Sequence, residues 1–225
     1  MLGQAKSLVI VYVDRNRLQF YGGSLSSILM LDIPPAIIKD LEVLNRDGLY
    51  TLVKEWIRQN ALGSARLFLV LSQGTYFDTA ATATSDSERE TEILAFYDRV
   101  PFEELITKII PQGDGKRAFA MNKLYLDAIA HAFLLQGLQV EGAVPVFLLG
   151  TIASKRWLDA EMGAYILKHV DTLKQFNVLE GADESLPAAG EAHEATTKSN
   201  PRLMMMVGIF GVLLLVLIVI IFSRS

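Results

Sequence analysis

The chain has 225 residues, no cysteine and a formal net charge of -4. The missing cysteine excludes disulfide staples, thiolate catalysis and thiol-ligated zinc, and the mildly acidic balance gives no overall reason to expect a nucleic-acid partner. Apolar residues make up 51% of the chain, an average that mixes a globular part with one uniformly hydrophobic stretch near the C-terminus.

Three strand-like runs come first, at residues 7–13, 17–21 and 26–31. They are rich in Val, Ile, Leu, Tyr and Phe and are separated by Asp14, Asn16, Gly22 and Gly23, so they predict antiparallel hairpins. Asp47 stands where an N-cap is expected, and Leu49, Leu52, Val53, Trp56 and Ile57 follow at the spacing of an amphipathic helix that runs to about residue 60. Residues 66–72, RLFLVLS, read as a strand covered on both faces. A mixed block then predicts a strand in TYFDTAATAT, a helix over 87–98, a second helix over 101–110 with Pro101 in its first turn, and a strand over 117–121. Asn122 is the expected cap of a helix over 123–136 that buries Leu124, Ala128, Ile129 and Ala132, and residues 138–149 supply one or two strands broken at Gly142 and Pro145.

In residues 153–176, Trp157, Leu158, Met162, Tyr165, Ile166, Val170, Leu173 and Phe176 form an aromatic-rich stripe at helical spacing. It predicts either a helix packed back on its own sheet or a docking helix for a partner or a second copy, with Trp157, Met162, Tyr165, Leu173 and Phe176 as contacts. Residues 181–200 are small and polar, the composition of a flexible linker. Leu203 to Phe222 is an uncharged run of 20 residues, about 30 Å as a helix, which predicts one transmembrane span. Gly208 and Gly211 are its candidates for close helix packing. No secretory signal opens the chain, and Lys198 and Arg202 lie on the domain side of the span, so the globular part is expected on the cytoplasmic side of the membrane.

Three antiparallel strands followed by alternating helices and strands predict an α/β fold with a mixed sheet, on the plan of a ribonuclease-H-like lobe at residues 1–152 with a small α/β insert at about 75–121. The acidic helix running into FYDRVPFEEL, then NKLYLDAIAHAFLLQGL, then VEGAVPVF, resemble the actin-like cytoplasmic domains of bacterial assembly-platform proteins, the PilM and GspL families of type IV pilus and type II secretion systems. The likeness covers roughly residues 7–150 in element order. It implies an actin-like lobe, but actin-like relatives hold nucleotide between two such lobes, and the soluble residues here are enough for one.

The resemblance makes Asp14 the candidate for the metal-side acid of a first phosphate hairpin. Such a hairpin needs small residues at its turn so that backbone N–H groups can approach a phosphate. Here Arg15 and Arg17 stand in those places, so the turn is expected to have lost that ligand, and the two arginines become candidates for an acidic partner. Gly74 and Thr75 after the buried strand, and GDGK at 113–116, are weaker phosphate signals. His131, His169 and His193 have no metal-ligand spacing. The expected protein is a tail-anchored, non-catalytic scaffold at the inner membrane that binds the membrane, other assembly-platform proteins or its own second copy, with no cofactor and no metal. The alternative is a membrane-anchored enzyme, either nucleotide-binding and ATPase-like or a metal-dependent nuclease of ribonuclease-H type.

Overall fold

A computed structural model describes residues 7–113, 115–154 and 157–179, without the side chain of Ser154. Chain contacts divide the protein into Met1–Leu186 and Pro187–Ser225, and every described residue belongs to the first unit. The expected linker and span, with Leu203, Gly208, Gly211 and Phe222, lie outside the described residues. Among the described residues no helix is long and apolar enough to cross a membrane.

Strands β1 (Ser7–Asp14) and β2 (Arg17–Gly22) form a hairpin whose turn is Arg15 and Asn16, with Asp14 opposite Arg17. The third strand, β3 (Leu29–Asp32), extends it. A small hairpin of β4 (Ile38–Lys39) and β5 (Glu42–Val43) leads into α1 (Arg46–Gln59), which returns the chain to β6 (Ala65–Leu71), parallel to β1. Then comes an antiparallel sheet of β7 (Phe77–Ala81), β9 (Gly115–Asn122) and β8 (Leu105–Gln112), with α2 (Asp86–Tyr97) between β7 and β8. Helix α3 (Lys123–Leu134) leads to β10 (Gln139–Pro145), parallel to β6. Two 3-10 turns over Val146–Ser154, α4 (Ala160–Leu173) and a last 3-10 turn (Lys174–Phe176) are the last elements among the described residues. The main sheet has the order β10-β6-β1-β2-β3, so the fold is mixed α/β.

Both faces of this sheet are covered, which is why its strands read as nearly continuous apolar runs. Val9, Val11 and Val13 point with Leu67, Leu69 and Leu71 toward Leu49, Val53 and Phe133 of α1 and α3. Ile10 and Tyr12 point with Phe68, Val70 and Val144 toward Met162, Ile166 and Leu173 of α4. Alternate residues therefore feed two separate cores, as the two-residue period of a strand requires.

Several sequence expectations move. The N-cap of α1 is Asn45, not Asp47: the Asn45 side chain accepts from Gly48 N–H at 2.8 Å, and a Cβ on Gly48 would stand 2.9 Å from the Asn45 amide carbon. Residues 105–112 are strand β8, not the end of a helix. Ile106 and Ile110, both buried, are four apart, a spacing that serves a helical stripe and a strand face equally well, while β-branched Ile106, Thr107, Ile109 and Ile110 favour the strand. Leu124 is 40% exposed rather than buried. Residues 139–145 form a single strand, whose register shifts between Val140 and Gly142 and which ends at Pro145.

Candidate functional site

In open α/β sheets ligands bind beyond the carboxyl ends of the parallel strands. Here those ends are Asp14 of β1, Leu71 of β6 and Pro145 of β10. The β6 exit loop is tied to β1 by the Ser72 N–H donating to the Val13 carbonyl at 2.9 Å. Ser72 Oγ donates to Asp14 Oδ1 at 2.6 Å, and Arg15 Nε donates to the Gly74 carbonyl at 3.0 Å. From below, the buried Tyr125 of α3 donates its hydroxyl to the Asp14 carbonyl at 2.9 Å. The hairpin tip and the exit loop are thus laced together, with a guanidinium between them.

The amides that a phosphate would need are also engaged. Gly74 N–H donates to Ser72 Oγ at 3.2 Å and Thr75 N–H to the Ser72 carbonyl at 3.0 Å. A Cβ on Gly74 would lie 3.2 Å from Asp14 Oδ1 and 3.3 Å from Arg15 Nε, so the glycine serves the contact with the hairpin itself. Arg17 is ion-paired with Asp32, which turns the second arginine and the second strand-end acid toward each other.

The insert forms the adjoining wall. Arg117 Nη1 donates to Asp78 Oδ2 at 2.8 Å, and its guanidinium carbon stands 4.8 Å from the centre of the Phe147 ring. Tyr76 packs on Phe119 and on Phe147, with ring centres 5.1 and 6.0 Å apart. Burial pushes the Asp78 carboxyl above its ordinary range against the attraction of Arg117. Burial, reinforced by the Asp14 charge, raises Tyr12 to about 12 and Tyr125 further. Burial chiefly, with the Asp78 charge, also raises Tyr76. The phenols stay neutral at physiological pH, and the acids here are bound to a hydroxyl or a guanidinium. Among the described residues no three His, Asp or Glu side chains come together as metal ligands.

The chain is similar to assembly-platform proteins of known structure. The sequence matches no family model and no curated protein. Similar solved structures include the PilM–PilN type IV pilus biogenesis complex, at 13% identity and TM-score 0.42, covering 60% of this chain and 46% of that one. Another is the cytoplasmic domain of EpsL, an inner membrane component of the type II secretion system of Vibrio cholerae, at 11% identity and TM-score 0.41, covering 64% and 58%. A third is a Bacteroides thetaiotaomicron protein with an actin-like ATPase fold and unknown function, at 8% identity and TM-score 0.36, covering 63% and 52%. The chain spans about half the length of the proteins it matches.

Of the stripe that suggested a docking helix, Met162 and Leu173 are buried in the chain's own core against the sheet. They are therefore not contacts for a partner in this fold: their helical spacing serves the sheet face of Ile10 and Phe68. Tyr165 is half-buried and stacks on His169 with ring centres 4.1 Å apart, and Phe176 is half-buried against both cores. Only Trp157 of the five is exposed. Sequence reasoning did not find a concavity of about 580 Å³ on the opposite face, lined by Tyr50, Leu124, His131, Leu134 and Val140 from α1, α3 and β10. Its one signal was a helix α3 apolar on more than one side, with Leu134 61% exposed and Leu135 53% exposed.

Proposed function

We propose that this chain is a non-catalytic, membrane-anchored scaffold whose lobe works by protein–protein docking at the cytoplasmic face of an inner membrane. The observation that carries this reading is the Arg15 guanidinium on the Gly74 carbonyl beside a Ser72-bound Asp14. It fills the place where a small-residue phosphate hairpin would leave its backbone open. The assembly-platform setting, of type IV pilus or type II secretion kind, rests on the sequence resemblance. The concavity between α1 and α3, where Arg46, Asp127 and Gln139 stand among the apolar side chains, offers a docking surface, for a platform partner or a second copy, and tethering by residues 203–222 would raise the effective concentration of membrane partners there.

The alternative, a membrane-anchored ATPase-like or nuclease-like enzyme, has its test in magnesium–ATP binding by the detergent-solubilised full chain. The expected result is no binding at micromolar nucleotide. Micromolar binding that is lost in Asp14→Asn would replace the scaffold with a nucleotide-dependent protein.

A further inference from the structure

Residues 174–179 bridge the edges of the two larger sheets. The segment leaves the buried Leu173 at the end of α4 on one face of the main sheet and reaches the buried Val178 on the other, so it passes around the edge of β10. Asn177 holds both sides at once. Its side chain accepts from Ala143 N–H of β10 at 2.8 Å, while its carbonyl accepts from the Lys108 ammonium of β8 in the insert. Lys174 adds an ion pair to Glu141 of β10 at 2.9 Å, and Arg66 of β6 binds the same carboxylate. The edge is shaped for this contact: the register of β10 shifts between Val140 and Gly142, and a Cβ on Gly142 would lie 3.3 Å from the Asn177 amide carbon.

The segment is fastened at points rather than buried throughout. Asn177 and Val178 are buried, but Gln175 is exposed and Lys174, Phe176 and Leu179 are half-buried. A short segment held in this way opens at a lower free energy than the core beside it. Lys108 stands in β8 between Ile106 and Ile110, which are buried in the core shared by insert and lobe, and strand alternation puts all three on that face. Its ammonium therefore reaches Asn177 from an apolar seam, where a hydrogen bond is stronger than in water. On the far side of Asn177, the Leu179 N–H donates to Asn177 Oδ1 at 3.1 Å, and Leu179 lines the concavity beside Gln139 and Val140.

The residue that Lys108 grips thus also fixes one wall of the concavity. We infer that residues 174–179 form a latch, held shut by Lys108 of the insert, that opens and closes the β10 side of the concavity. Coupling of this kind is reciprocal: whatever docks on the closed wall tightens the Lys108 contact, and whatever pulls the insert away loosens the wall. The use of the latch rests on reading the concavity as the docking surface; its motion does not.

The test is amide exchange in the detergent-solubilised full chain. Lys108→Met is expected to speed exchange at the Ala143 and Leu179 amides by about ten-fold or more, the worth of a hydrogen bond to a charged group, while Val53 in α1 stays slow. Lys108→Arg is expected to keep most of that protection. Unchanged exchange at Ala143 and Leu179 overturns the latch. So does faster exchange everywhere, Val53 included, which would make Lys108 a general support of the fold. The reverse direction uses Lys174→Gln, which loosens the segment without touching the insert and decides the matter if Lys108→Met does not fold. Acylation of Lys108, read by mass spectrometry, is expected to rise in that variant, and unchanged acylation overturns the latch. Any of these failures leaves the docking reading standing, because neither measurement involves a partner.

Discussion

Gly163 shows how a single side chain is decided by a distant one. It lies inside α4, where Ala is ordinarily better than Gly by about 1 kcal/mol. A Cβ there would stand 2.3 Å from Cδ1 of Tyr21 on β2, so the half-buried ring or the helix would have to shift. Gly163→Ala is therefore expected to destabilise the protein by about 1–3 kcal/mol, seen as a lower urea midpoint of the solubilised chain; an increase in stability would mean that α4 sits further from β2. At the hairpin, the family resemblance together with the bulk of Arg15 and Arg17 leads the sequence to suggest a turn that has lost its phosphate. The partners of that turn were not legible, because Ser72 and Tyr125 lie 58 and 111 residues away and carry no mark in sequence of what they reach. Asp47 was mistaken for a cap because both Asn45 and Asp47 are good capping residues, and only the backbone at Gly48 decides between them.

Among the elements, those with one clear period were readable. α1 and α3 follow from their apolar spacing, and Asn122 caps α3 as expected, accepting from Leu124 and Tyr125 N–H while its amide also donates to the Leu41 carbonyl. Strand β8 was not readable, since its buried isoleucines satisfy two periods at once. The outer edge of β10 is closed by a segment with no regular pattern. The buried Asn177 accepts from Ala143 N–H at 2.8 Å and Leu179 N–H at 3.1 Å, Val178 N–H donates to the Ala143 carbonyl at 2.8 Å, and Lys174 pairs with Glu141 at 2.9 Å. Such coverage keeps a sheet edge from pairing with another chain. Asn177→Ala leaves a buried N–H without its acceptor, which costs about 1–3 kcal/mol. The expected readout is faster amide exchange at Ala143 with a lowered urea midpoint; unchanged exchange would mean that the edge is held by the backbone bond alone.

For the molecule as a whole, buried phenols tie stability to alkaline pH. Burial raises Tyr12 and Tyr97 from 10.0 to about 12, and Tyr76 and Tyr125 shift upward as well. In the unfolded chain these groups lose their protons near pH 10, whereas the folded chain keeps them, so stability is full below pH 10 and falls as pH rises toward 12. Tyr12 and Tyr97 should each contribute a loss on the order of 2–3 kcal/mol across that window. Urea unfolding followed by pH, with tyrosinate absorbance recorded in parallel, checks this; a flat stability curve to pH 12 would show that these phenols are open to water. By itself the sequence determined the α/β class, the opening hairpins and most element positions, because those depend on periods of two and 3.6 residues written locally in the chain. The tertiary structure alone decided that α4 belongs to the core, that β10 is edged by residues 174–179 and that Arg15 closes the hairpin onto Gly74, because each rests on contacts between segments far apart in sequence.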